Sequence, residues 1–154
     1  MSTSQVNTDL MVQAADGNIV ALIEVKNLNS LSADTAATIR RNLVVHGRTN
    51  WWPSFFMVVS QDRGYLWDQR SLPPEPTQPP TTEFPMSPVV AHYLPSFAGG
   101  ARLRGSQLEL AVEQWLWDLA NDVEQRPHVS ERALATTGFL EMVRGGRVST
   151  EIGF

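Results

Sequence analysis

From Thr8 to Asn27 the chain reads TDLMVQAADGNIVALIEVKN, two strand-like runs around an Asp-Gly pair. No other stretch limits the fold as tightly. Leu10, Met11 and Val12 sit in the first run, and Ile19 to Val25 form an almost wholly apolar second one. Asp16-Gly17 between them is the strongest short-range hairpin signal, because a type I′ turn needs positive φ at both central residues. With those two residues as the loop, Ala15 pairs with Asn18, and counting outward sets Asp9 directly opposite Glu24. Opposed residues have Cβ atoms about 4.5–5.5 Å apart, and like charges there repel. Alternation along a strand turns Glu24, Lys26 and Asp9 to one face. The greasy hairpin therefore ends in two carboxylates and an ammonium.

One explanation is a solvated strand end, where charges gather because the sheet has run out. The other is a binding site: two facing carboxylates with no basic residue between them suit a hard divalent cation held by oxygen ligands. Lysine usage bears on the choice. Lys26 is the only lysine in 154 residues, against eleven arginines. Lysine is a compact point charge with a tunable pKa, whereas arginine is a bulky fork that stays protonated. A chain that uses arginine for every other positive side chain has reason to keep a lysine here.

At these residues the chain resembles the PD-(D/E)XK nuclease superfamily, the restriction-endonuclease-like fold. Its signature is an acidic residue on one strand, then acid-x-Lys on the antiparallel neighbour, here Asp9 and then Glu24-Val25-Lys26. EVKN, the RRN helix, FFMVVSQDRGYLW and the late GGRV are also similar to a group of small bacterial proteins of unassigned function. The resemblance implies an α/β domain with a mixed sheet and flanking helices. It implies that Asp9 and Glu24 hold Mg²⁺ or Mn²⁺, with the Val25 carbonyl as a third ligand, and that Lys26 positions or deprotonates the attacking water. It also implies a helix ahead of the first motif strand, often carrying another glutamate, whereas eight residues precede Asp9 here.

The length fits one domain spanning residues 1–154, divided into a motif-bearing sheet and helix (8–68), a proline-rich strap (69–88) and a helical remainder (89–154). Hydrophobic content of 42% and charged content of 18% suit a folded globular chain, and no apolar run approaches the about 20 residues of a membrane span. MSTSQVNT carries no basic and then apolar segment of the kind a secretory signal needs. Cysteine is absent, which excludes disulfides and thiolate-held zinc, and a cytoplasmic location is expected. A net charge of −4 argues against a general nucleic-acid binder but leaves room for a local basic patch.

Beyond the hairpin, Ser32 reads as a helix start and Gly47 as its stop. Ala36, Ile39 and Leu43 form the apolar stripe, and Arg40, Arg41 and Arg48 fall off it, either as a solvated face or as phosphate contacts beside the acidic site. Trp51-Trp52-Pro53 closes that loop, as core, lid or base-stacking surface. Phe55–Val59 is a strand buried on both faces and parallel to the second hairpin strand. Ser60–Gly64 turns, and Tyr65–Trp67 forms a short strand. Seven of the ten prolines fall between Ser71 and Pro88, an extended strap rather than a helix. Ser106 with Glu109 reads as a capping box ahead of a helix with Leu108, Val112, Trp115 and Leu119 inward. A second helix is expected over Ser130–Val143, with Leu134 and Leu140 inward. Gly145-Gly146 ends it, and Arg147–Ile152 is an edge strand. Trp115 and Trp117 cannot both face one core, which points one of them at the strap or at a second subunit.

His46, His92 and His128 have no metal-ligand spacing, and the chain has neither a phosphate-binding glycine loop nor a nucleophile elbow. The expectation is metal-dependent phosphodiester hydrolysis of nucleic acid, DNA ahead of RNA, by Asp9, Glu24 and Lys26. Arg40, Arg41 and Arg48 are expected to contact phosphate, and a homodimer or partner subunit is anticipated. The alternative is a nuclease-like fold kept as a binding or scaffold subunit.

Overall fold

A computed structural model describes residues 7–28, 30–46, 53–71, 75–97, 103–122 and 128–153. Six strands form one mixed sheet: β1 (Asn7–Gln13), β2 (Ile19–Val25), β3 (Phe55–Val59), β4 (Arg63–Asp68), β5 (Thr82–Pro85) and β6 (Arg147–Gly153). Their order is β5-β4-β3-β2-β1-β6. β2 and β3 are parallel, joined by the crossover helix α1 (Ala33–His46), and every other neighbouring pair is antiparallel. A crossover between parallel strands needs a helix-length connection, short turns join β1 to β2 and β3 to β4, and β1 meets β6 from the far end of the chain.

α1 covers one face, where Leu22, Leu31, Ala36, Phe56, Val58, Tyr65 and Trp67 make the smaller core. The other face carries α2 (Ser87–Tyr93), α3 (Gly105–Ala120), α4 (His128–Ala135) and α5 (Phe139–Val143), with a short 3-10 turn at Pro95–Phe97. The larger core lies there, built from Leu10, Ile23, Met57 and Leu66 of the sheet and Leu108, Val112, Trp115 and Leu119 of α3. Alternate residues of β2 and β3 go to opposite faces, which is why both strands read as unbroken apolar runs. Trp115 is fully buried and Trp117 is 55% exposed, as their spacing requires. No helix among the described residues is long and apolar enough to cross a membrane.

The hairpin turn differs from its expected form. Ala14 and Asn18 close it, with Ala14 N–H donating to the Asn18 carbonyl at 2.8 Å and Gly17 N–H to the Ala14 carbonyl at 2.9 Å. Ala15-Asp16-Gly17 is thus a three-residue loop. Gly17 alone has positive φ (+90°), so the I′ geometry fails at Asp16, whose carboxylate instead accepts from Asn18 N–H at 2.9 Å. This loop alone would slip the pairing by one residue. A bulge cancels the slip: Gln13 pairs with Ile19 but Val12 pairs with Ala21, leaving Val20 extra. From there the ladder runs Met11–Leu22 and Leu10–Ile23, the register expected from the sequence.

Three further expectations change. The helix expected over Ser130–Val143 breaks into α4 and α5 at Gly138, whose φ is +86°. Thr137 closes α4 by donating from Oγ1 to the Leu134 carbonyl at 2.7 Å, and a Cβ on Gly138 would meet the Arg70 guanidinium at 2.9 Å. The capping box is not Ser106 with Glu109: α3 starts two residues earlier, and Gln107 Oε1 accepts from Arg104 N–H at 2.9 Å. The proline strap is not wholly irregular. Thr82–Pro85 joins the sheet as an edge strand, where Pro85 costs no central ladder bond, and Ser87-Pro88 opens α2.

The expected phosphate-binding role of Arg40 meets the clearest correction. Its side chain is 1% exposed, beneath the strap. Nε and Nη2 donate to Gln69 Oε1 at 3.0 and 2.9 Å, Nη2 also to Gln78 Oε1 at 2.9 Å, and Nη1 to the Glu75 carbonyl at 2.7 Å. The guanidinium lies 5.4 Å from the Trp67 ring centroid. Burial lowers its pKa to about 10. Arg40 therefore clips the strap to the sheet and is unavailable to a phosphate. Replacing it by Met removes the partner of several buried acceptors, so Arg40→Met should cost about 2–4 kcal/mol in denaturant unfolding. Arg41→Met, on the exposed side of α1, should stay within about 0.5 kcal/mol of the parent.

Candidate functional site

β1 and β2 part at the end distal to their turn. The ladder stops at Leu10–Ile23, and Asp9 and Glu24 are the next residues on the two strands. Here a side chain takes over from the backbone: Val25 N–H donates to Asp9 Oδ2 at 2.7 Å. Lys26 N–H turns to the other neighbour and donates to the Val59 carbonyl at 2.8 Å, which holds the end of β2 against β3. Leu28 N–H then donates to the Lys26 carbonyl at 2.9 Å and turns the chain away toward α1.

Glu24 is 7% exposed although it stands next to the end of its strand. Burial pushes its carboxyl above the usual range, and the negative charges of Asp9 and Glu109 push it the same way, while the Lys26 ammonium opposes them. Lys26 Nζ lies 3.2 Å from Glu24 Oε2, on a side chain that keeps 40% of its exposure. Glu24 and Lys26 thus share a face, as strand alternation requires, and the Asp9 charge bears on the same group.

Glu109 is the residue that sequence reading missed. It was assigned to a helix cap, a duty that falls to Gln107. α3 packs over β1, β2 and β6 and brings the Glu109 carboxylate close enough to be felt by Glu24. The start of α3 stands beside the strand end: a Cβ on Gly105 would lie 3.8 Å from Asn27 Cβ. Just before it, Leu103 N–H donates to Gln61 Oε1 at 3.1 Å, tying the helix entry to the β3–β4 turn. Only the Glu in the first turns of a long amphipathic helix hinted at this, and its partner lies far away in sequence.

The chain matches no protein-family model, no curated protein and no solved structure. The site is therefore read from its own geometry. Its donors suit a hard divalent cation, since Asp9 and Glu24 offer carboxylate oxygens whose repulsion a cation would relieve. Among the described residues, no three His, Asp or Glu side chains converge closely enough to hold a metal by themselves. A cation would complete its shell with backbone oxygen, water and substrate phosphate, a common arrangement for Mg²⁺. Val25, whose carbonyl is the expected third ligand, is the last residue of β2. Of the expected phosphate contacts, Arg41 is exposed on α1, Arg40 is buried, and Arg48 lies outside the described residues. The Trp51-Trp52 pair also lies outside them. His92 is exposed and stacks edge-on against Tyr93, with ring centroids 4.6 Å apart.

The raised pKa of Glu24 has a testable sign. Folding favours its protonated form, so this contribution to stability is fully present below the ordinary carboxyl pKa. It is lost as pH rises from there through the higher folded value. Glu24→Gln cannot titrate. Denaturant unfolding of parent and variant across pH 4 to 7 should show the Gln variant gaining stability relative to the parent as pH rises. A pH-independent difference would mean that Glu24 ionises as freely in the folded chain as in the unfolded one.

Proposed function

We propose that this chain is a metal-dependent nuclease that hydrolyses phosphodiester bonds, with DNA ahead of RNA as substrate, on a restriction-endonuclease-like core. The observation that carries the reading is the meeting of Asp9, Glu24 and Lys26 at one open strand end, with Glu24 buried among negative charge. The order of elements supports it. The resemblance calls for a helix ahead of the first motif strand, often bearing a glutamate. Here α3, with Glu109, lies across β1 and β2, and on this reading it stands in for that helix.

When bound, Mg²⁺ or Mn²⁺ would polarise the phosphate and lower the pKa of a coordinated water. The residues of the chain divide the remaining work. Asp9, fixed by the Val25 N–H, and Glu24, held in the sheet, supply the anionic oxygens. Lys26 holds or takes a proton at the attacking water, and Glu109 adds negative field behind them. Arg41 is the described arginine of the expected set that can meet a phosphate. A second reading, a nuclease-like scaffold without catalysis, draws on Leu110 and Trp117, both exposed and two helical turns apart on α3.

Nicking of plasmid DNA in Mg²⁺ or Mn²⁺ tests the proposal directly. Asp9→Asn should abolish the metal-dependent part, and Lys26→Arg should lose about 10²–10⁴-fold, as expected for a general acid–base group. Cation binding should also raise the melting temperature. At ten times Kd the gain is about 1.4 kcal/mol, or roughly 3–5 °C for a chain this long. Asp9→Asn should remove that rise while leaving the metal-free protein at least as stable, because a repulsion has gone. No nicking and no divalent-specific shift against an ionic-strength control would hand the case to the scaffold reading.

A further inference from the structure

The chain brings a cation of its own to the site. Lys26 Nζ sits 3.2 Å from Glu24 Oε2, beside the Asp9 charge and within the field of Glu109. The two carboxylates are held differently. Asp9 is anchored by a backbone N–H, which will not move without unzipping the end of β2. Glu24 is neutralised by a side chain on a flexible stem, 40% exposed, that can swing into water. A buried carboxylate cannot stay ionised without a partner, and removing that partner is costly unless another takes its place. A divalent cation seated between Asp9 and Glu24 competes for the same carboxylate.

We propose that Lys26 is the resident counter-ion of the site, and that a divalent cation binds by displacing it from Glu24, which frees the ammonium for the attacking water. The inference rests on the nuclease reading for its cation site but adds an exchange within it. Loading and activation become one event: the charge that balances Glu24 is the group released when a divalent cation binds. Before loading, Lys26 is committed to Glu24 and is not available to a water.

The exchange predicts an order of affinities that a purely catalytic or purely structural lysine would not give. Mn²⁺ binding to the full chain, followed by calorimetry and by the electron paramagnetic resonance of the free ion, should be about tenfold tighter in Lys26→Gln than in the parent, because the competitor is gone. Lys26→Arg should bind more weakly than the parent, because a guanidinium grips a carboxylate with two parallel donors. The single lysine gives a second readout. With ¹⁵N-lysine labelling, its lone ammonium signal should shift on saturation with Mg²⁺, as the pair with Glu24 breaks.

Parent-like or weaker Mn²⁺ binding by Lys26→Gln, or an ammonium signal unmoved at saturation, overturns the exchange while leaving the nuclease reading intact. Binding by Lys26→Gln alone, with a silent parent, supports the exchange and shows a site that Lys26 keeps closed. Absence of binding in every variant overturns the exchange together with the cation site itself. If Lys26→Gln does not fold, Lys26→Arg decides: an affinity equal to or above that of the parent overturns the proposal.

Discussion

The bond from the Val25 N–H to the Asp9 carboxylate is where a β-hairpin stops being a sheet and becomes a site. A backbone N–H inside a protein must find an acceptor, and on the β1 side of β2 the ladder supplies these as far as Ile23. At Val25 the acceptor is a side chain. A carboxylate that accepts from a backbone amide is short-bonded and oriented, so Asp9 is fixed without extending the ladder. Glu24 has no such freedom of arrangement. Its strand is central, between β1 and β3, and Lys26 N–H secures the strand end to Val59. The carboxylate is therefore held out of water by the same pairing that makes the core, and the raised pKa follows from the fold.

The register that brings these groups together was legible in the sequence, though not for the reason first given. A two-residue turn and a three-residue loop differ by one residue, and a one-residue slip sends every side chain to the wrong face. With the three-residue loop alone, Leu10 and Val12 would leave the larger core. The extra residue Val20 prevents this, and Val20 and Ala21 both reach that core. The apolar pattern of the two strands, rather than the turn, thus sets the pairing. An Asp-Gly pair reports that the chain reverses, and it cannot report a compensating bulge four residues away.

Helical spacing was read less well where partners are remote. Arg40 stands four residues after Ala36 and three before Leu43, which is itself an inward position, yet its charge suggested solvent. What settles its place is the pair Gln69 and Gln78 and the face of Trp67, none of them local. Neutral acceptors can bury a guanidinium when they saturate its fork. Gly138 is a similar case: the apolar pattern runs on through it, but the backbone turns left-handed there to let Arg70 reach the Thr137 carbonyl at 2.7 Å. Local periodicity identified the strands, α1 and α3 because each buries a stripe on the sheet. It did not find β5, which lies inside the proline strap, and it had no access to side chains that recruit one another across the fold.

The acidic balance of the chain takes a different meaning once α3 is in place. A surplus of carboxylates first argued against phosphate as a partner, since like charges repel. At this strand end, however, Asp9 and Glu109 both bear on Glu24, and the Lys26 ammonium pairs with it. Arginine would serve poorly as that ammonium. Its fork would bind Glu24 in two places, and it would neither release readily nor exchange protons near neutral pH. A lysine pairs through a single point and leaves along a flexible stem. In a chain that otherwise uses arginine throughout, lysine at position 26 fits the exchange proposed for this site, in which one group balances a buried carboxylate and later lets it go.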